Sequence, residues 1–292
     1  MIRRRIGSLV VCAAMLFSTV FPTITARAEG DTLPQATGNT YYVSTLDGND
    51  RNSGKSETEA LYSLTALSQI DLQPGDRVLL ERGSNFYNDF LHLRGVKGTQ
   101  EAPIVIDAYG DSGKALPVIN TNGQGIWYQD YGTALDNAQH VYRGYVSSSI
   151  LLYDCEYIEI SNIAMTNRNL DIDVEYNARS MMNRTGVAVV AQNGGTLDHI
   201  YLKGLNIQDV QGNVQDKHMN NGGIYFTVFK PENEGSTGIA RYNDVRIEDC
   251  YLKSVNRWGI ALAYTAYHAK FPDSTISLSL IHISEPTRLA LI

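Results

Sequence analysis

Tyr157–Asn167 reads YIEISNIAMTN, His199–Gln211 reads HIYLKGLNIQDVQ and Asp244–Val255 reads DVRIEDCYLKSV. The three stretches are one phrase written three times. Ile158, Ile160, Ile163 and Met165 of the first copy match Ile200, Leu202, Leu205 and Ile207 of the second, and Val245, Ile247, Cys250 and Leu252 of the third. Asn162, Gly204 and Asp249 hold the turn position, 42 and then 45 residues apart. Apolar and polar residues alternate, slip by one residue at the turn and alternate again, which predicts strands and excludes the three-and-four spacing of a helix. A further apolar run follows each copy at or near glycine: Gly186–Val190, Gly222–Val228 and Gly259–Ala263. Each repeat is therefore expected to be strand, turn, strand, long loop, strand. A repeat of this period predicts a solenoid of parallel strands, an all-β β-helix whose loop insertions collect on one face.

The ends of the chain differ from this pattern. Residues 1–28 are expected to be a signal peptide, with Arg3, Arg4 and Arg5, an apolar run from Ile6 to Phe21, and the small-x-small site Ala26-Arg27-Ala28. Export follows, to a secreted, extracellular or periplasmic location, with no membrane association after cleavage. A polar leader occupies 29–39 and the β-helix domain 40–276, expected to be incomplete at its carboxy-terminal end. At Leu278–Arg288 the sequence LSLIHISEPTR reads as the translation of a widely used transposon-based sequencing adapter, so 277–292 is expected to be an adapter-derived tail. Ser63–Ile70 places Leu64, Leu67 and Ile70 on one face after a serine cap, predicting a short helix that covers the amino-terminal end of the solenoid.

Composition narrows the function. The formal charge is −7, and loss of Arg3, Arg4, Arg5 and Arg27 with the leader would make the rest more acidic, which argues against nucleic acid as a partner. Polyanionic glycans would need local basic loops or bound calcium. Cys155 and Cys250 remain after export; Cys250 occupies an aliphatic slot of the repeat and is expected to point into the core, while an oxidising compartment also permits a disulfide between them. No P-loop, HExxH, GxSxG or dinucleotide-binding glycine motif is present.

Thr40–Leu67 (TYYVSTLDGNDRNSGKSETEALYSLTAL), Leu72–Asn88 (LQPGDRVLLERGSNFYN) and Gly98–Asp111 (GTQEAPIVIDAYGD) resemble the amino-terminal region of secreted bacterial right-handed parallel β-helix proteins of the pectate-lyase-like superfamily. The resemblance covers Thr40 to about Ala263. It implies a three-sheet right-handed coil, inward aliphatic ladders and a carbohydrate groove on one sheet. It also implies a polysaccharide partner, a polysaccharide lyase or glycoside hydrolase activity on plant or microbial glycans, and a monomeric full-length form. The paired aspartates with Gly-His-Gly of polygalacturonases and the RxPxxR of classical pectate lyases are absent. The alternative is a non-catalytic glycan-binding, adhesion or cell-surface scaffold protein.

Three groups of residues carry candidate chemistry. Asp171, Asp173 and Glu175 alternate, so an extended loop would put their carboxylates on one face as a calcium site, or leave them as a solvated acidic loop. Asp209, Lys217 and His218 lie close together after the middle repeat and offer a base and an orienting carboxylate, with Asn213 as a binding residue. Asp209 also aligns with Asn167 and Ser254, a turn position. Asp249, Arg257 and Trp258 form the third group: arginine pairs with a carboxylate and tryptophan stacks on a sugar, although Asp249 holds a turn slot.

Overall fold

Alternation in the repeats buries one side of every strand, and the chain satisfies this by coiling. The computed structural model describes residues 38–132, 134, 140–168 and 181–263. The expected signal peptide (1–28), the expected adapter-derived tail (277–292) and the candidate calcium residues Asp171, Asp173 and Glu175 lie outside the described residues.

After β1 (Thr40–Val43) and the short helix α1 (Leu64–Leu67), five rungs follow. The first is β2 (Arg77–Glu81), β3 (Asn85–Tyr87) and β4 (Leu91–Arg94). The second is β5 (Ile104–Tyr109) and β6 (Val118–Asn120), then a hairpin of β7 (Ile126–Asp130) and β8 (Arg143–Tyr153), of which β8 is the rung strand. The third is β9 (Ile158–Ser161), β10 (Ala164–Asn167) and β11 (Asn183–Ala191). The fourth is β12 (Thr196–Lys203), β13 (Asn206–Val210) and β14 (Gly222–Val228). A four-residue helix α2 (Glu234–Thr237) precedes the fifth, β15 (Arg241–Glu248), β16 (Tyr251–Val255) and β17 (Ile260–Ala263).

Equivalent strands pair in parallel into three sheets. The first runs β1-β2-β5-β9-β12-β15, the second β3-β6-β10-β13-β16 and the third β4-β8-β11-β14-β17. The architecture is all-β with few helices, a β-helix-like solenoid. The repeat alignment is the register: Ile158 lies beside Ile200 and Ile200 beside Val245, while Met165 lies beside Ile207 and Ile207 beside Leu252. These side chains form one continuous core, with Leu252 only partly buried near the last rung. Each fully buried aliphatic contributes about 1.5–3 kcal/mol.

The turn column obeys backbone sterics. Asn162, Gly204 and Asp249 all have left-handed φ, at 55°, 62° and 51°, a region that asparagine, aspartate and glycine enter at least cost. The alignment of Asp209 with Asn167 is off by one. Asn167 pairs with Val210, so Asp209 is the extra residue of a bulge, stacked on Ser254 of the next rung, and both have φ of 53°.

The Ser63 hydroxyl accepts a hydrogen bond from the Ala66 amide at 3.0 Å, capping α1, which buries Leu64 and Leu67 in the core. Just before α1, Leu61 bridges to Val43 in parallel, covering the outer edge of β1. Cys155 and Cys250 are buried free thiols that sit in the core as small residues; burial pushes them up to about 12 and about 11.

Candidate functional site

Among the described residues, parts of the β7–β8 hairpin and of the loops flanking β14 pack on the outer face of the third sheet. Leu151, Ala188 and Val190 point outward from that sheet and pack with Trp127 and Tyr131 of the hairpin segment and with Met219 and Phe229 from the loops, forming a second apolar cluster. Every residue of β11 and β14 is consequently buried. Polar side chains gather instead where β11, β14 and β17 begin.

Two networks build this edge. In one, Asn183 donates to Asp216 Oδ2 (3.2 Å) and its Oδ1 accepts from Asn221 Nδ2 (2.6 Å); Asn221 Oδ1 in turn accepts from the Arg184 amide (3.0 Å). Asn213 donates to the same Asp216 oxygen (3.3 Å) and to the Met181 carbonyl (2.9 Å). In the other, Gln129 Nε2 and Tyr131 Oη both donate to the His218 carbonyl at 2.9 Å. Asn220 donates through its backbone and side chain to Gln129 Oε1, and also to Thr227 Oγ1. The loop carrying His218 is thus fixed to the hairpin on one side and to β14 on the other.

His218 Nε2 lies 3.0 Å from His140 Nδ1, within hydrogen-bonding distance, with ring centres 4.5 Å apart. Burial holds His218 below its ordinary value, and the nearby His140, Arg257 and Lys217 lower it further. Arg257 donates to the Val214 carbonyl and sits 5.5 Å from the centre of the Trp258 ring. Burial lowers the Arg257 guanidinium, while Tyr225 and Asp216 oppose that shift. Arg257 Nε, Trp258 Nε1 and the Asn220 Oδ1 acceptor are buried with no hydrogen bond among the described residues.

The structure therefore unites Lys217, His218, Arg257, Asn213 and Trp258, although Asn213 is buried and works as a loop brace. It separates the rest. Asp209 lies on the second sheet, in a 2.7 Å ion pair with Arg168. Asp249 lies in the corner before β16, and all of that strand stands between it and Arg257. Asn183, Asp216, Asn220, Asn221, Gln129 and His140 were not singled out by sequence. The last two come from the hairpin, with no local signal linking them to the His218 loop. Among the described residues, no cluster of three or more His, Cys, Asp or Glu side chains is placed to hold a metal.

Amides, imidazoles, a guanidinium and an indole suit the hydroxyl and amide groups of an uncharged sugar. Glycoside hydrolysis ordinarily takes a pair of carboxylates. Among the described residues, the network contains one carboxylate, Asp216, which accepts from the Asn183 and Asn213 amides.

The chain is similar to lacto-N-biosidases. It is 38% identical, over 305 aligned positions, to the lacto-N-biosidase of Bifidobacterium longum subsp. longum, across 93% of this chain and 19% of that protein. The crystal structure of the GH136 lacto-N-biosidase from Eubacterium ramulus superposes with a TM-score of 0.76 at 55% identity, covering 81% of this chain and 37% of that one. Its selenomethionine derivative gives the same TM-score at 56% identity. The chain thus spans well under half the length of either relative. No family model matches it. Both relatives are glycoside hydrolases by name. They also correct the expected kinship with the pectate-lyase-like superfamily. The motifs behind that expectation are turns and aliphatic ladders, which any parallel-strand solenoid needs, so they report coiling rather than descent.

Proposed function

We propose that this chain is part of a glycoside hydrolase that releases lacto-N-biose from a glycan. The observation that carries the reading is the 56% identity over 81% of the chain to the Eubacterium ramulus enzyme. In this reading Lys217, His218, Arg257 and Trp258 bind the disaccharide: Arg257 and His218 hydrogen-bond its hydroxyl and acetamido groups and Trp258 packs on a ring face. Export by residues 1–28 and a right-handed winding belong to the same proposal. The winding rests on the strong preference of crossovers between parallel strands for that hand.

The test is to incubate the protein encoded by the full gene with a neutral glycan ending in lacto-N-biose, and separately with oligogalacturonate. Hydrolysis gives the free disaccharide, with water added across the cleaved bond. A lyase gives an unsaturated uronate that absorbs in the ultraviolet. Absence of the disaccharide, or appearance of the unsaturated product, rejects the proposal.

A further inference from the structure

The second sheet treats its outer face differently from the third. Phe86, Ile119, Met165 and Ile207 point into the core, and the alternate positions point out. Across the strands these outward residues form two rows. One runs Asn85, Val118, Ala164, Asn206, Tyr251; the other runs Tyr87, Asn120, Thr166, Gln208, Lys253, with the Asp209 bulge between the Thr166 and Gln208 positions. Small side chains in the middle leave a groove of about 450 Å³, lined by Val118, Ala164, Thr166, Asn206 and Gln208 and bordered by the Arg168–Asp209 ion pair. Tyr87 on β3 is 59% exposed and Tyr251 on β16 is 48% exposed, so an aromatic ring stands at each end. Four strand steps of ~4.8 Å separate them, about 19 Å, the reach of a short oligosaccharide.

The chemistry of the floor selects its occupant. Thr166 Oγ1 donates to Asn120 Oδ1 (3.0 Å) and Gln208 Nε2 donates to Asn206 Oδ1 (2.7 Å). These bonds leave the Asn120 and Asn206 amide N–H groups and the Gln208 carbonyl oxygen without protein partners among the described residues. Arg168 and Asp209 neutralise one another. Uncharged donors and acceptors in a shallow trough between two tyrosines match the hydroxyls and apolar ring faces of a neutral glycan, while the acidic chain repels a polyanion.

We propose that this groove is an accessory subsite that binds a neutral oligosaccharide laid across the strands, on a sheet other than the one bearing the His218–Arg257 site. The choice of a glycan rests on the glycoside hydrolase reading above.

The test is calorimetric titration of the full-length protein with chitotetraose, an uncharged probe with no lacto-N-biose to release, and with tetragalacturonate. Tyr251→Ala and Gln208→Ala are compared with Tyr145→Ala, an exposed tyrosine on the hairpin. The expected result is binding of chitotetraose but not tetragalacturonate, weakened about tenfold or more by each groove variant and unchanged in Tyr145→Ala. No chitotetraose binding, equal binding in both groove variants, or equal loss in Tyr145→Ala overturns the proposal. Disaccharide release is measured separately, so either reading can fail alone.

Discussion

Gln129 donates a 2.9 Å hydrogen bond to the main-chain carbonyl of His218, across 89 residues of sequence. The Gln129 side chain is fully buried and also accepts from Asn220, so this one amide ties the β7–β8 hairpin to the loop that carries the site. Gln129→Leu keeps the bulk and leaves the Asn220 donors without that acceptor. The expected cost is about 1–3 kcal/mol of stability, read by denaturant unfolding, together with a higher KM for disaccharide release. An unchanged unfolding midpoint would show that the hairpin does not brace the loop.

Arg257→Met should remove the cation beside His218 while keeping much of the aliphatic stem against Trp258. If the guanidinium binds the sugar, KM rises by about tenfold or more while kcat changes little, since hydrogen bonds to a charged group contribute about 1.5–3 kcal/mol. A fall in kcat at constant KM would assign Arg257 a role in the chemical step instead.

His92 provides a pH test of the core. Burial holds its imidazole down at about 4, opposed by its hydrogen bond to the Ser148 carbonyl and reinforced by Arg94. A base whose folded value lies below its unfolded value takes up protons on unfolding, so its contribution is complete above about pH 6.5 and is lost as pH falls toward 4. The loss is at most ~3 kcal/mol. Stability curves of wild type and His92→Gln should converge in shape above pH 6.5 and diverge below it; parallel curves down to pH 4 would contradict this.

Gly186 sits where the third sheet meets the core. A Cβ there would lie 2.7 Å from Ile207 Cγ2 and 2.8 Å from the Gly223 carbonyl oxygen. Gly186→Ala is expected to destabilise by about 1–3 kcal/mol through overpacking. Thermal unfolding of the variant checks this, and no loss of melting temperature would mean the rung spacing relaxes freely.

Cys155 and Cys250 should resist a water-soluble thiol reagent at neutral pH, because burial raises both thiols. Both should react once the protein is denatured. Labelling of either under native conditions would show that its rung opens.

Three rungs were legible in the sequence because their strands recur at nearly constant spacing. Ile158, Ile200 and Val245 keep one phase, and Asn162, Gly204 and Asp249 mark the left-handed corner. The two earlier rungs show no such repeat and were reached only through the resemblance that starts at Thr40. Their connections vary in length, and the hairpin of β7 and β8 interrupts the second. Asp209 was placed one residue out because a bulge shifts register without disturbing alternation elsewhere. Lys217 and His218 could be singled out because they are neighbours in the chain. Gln129 and His140 could not, since hydrogen bonds across 89 and 78 residues leave no local pattern.

Alternation and turn chemistry are short-range properties, so the sequence by itself determined that the chain coils into stacked parallel strands with an aliphatic core. Which outer face is covered and which stays open depends on where long insertions pack. Only the tertiary structure decided that the third sheet is sealed by Trp127, Tyr131, Met219 and Phe229, while Asn206 and Gln208 face an open groove on the second. Burial of those apolar side chains depends on partners far away in sequence, and that selection leaves no periodic trace.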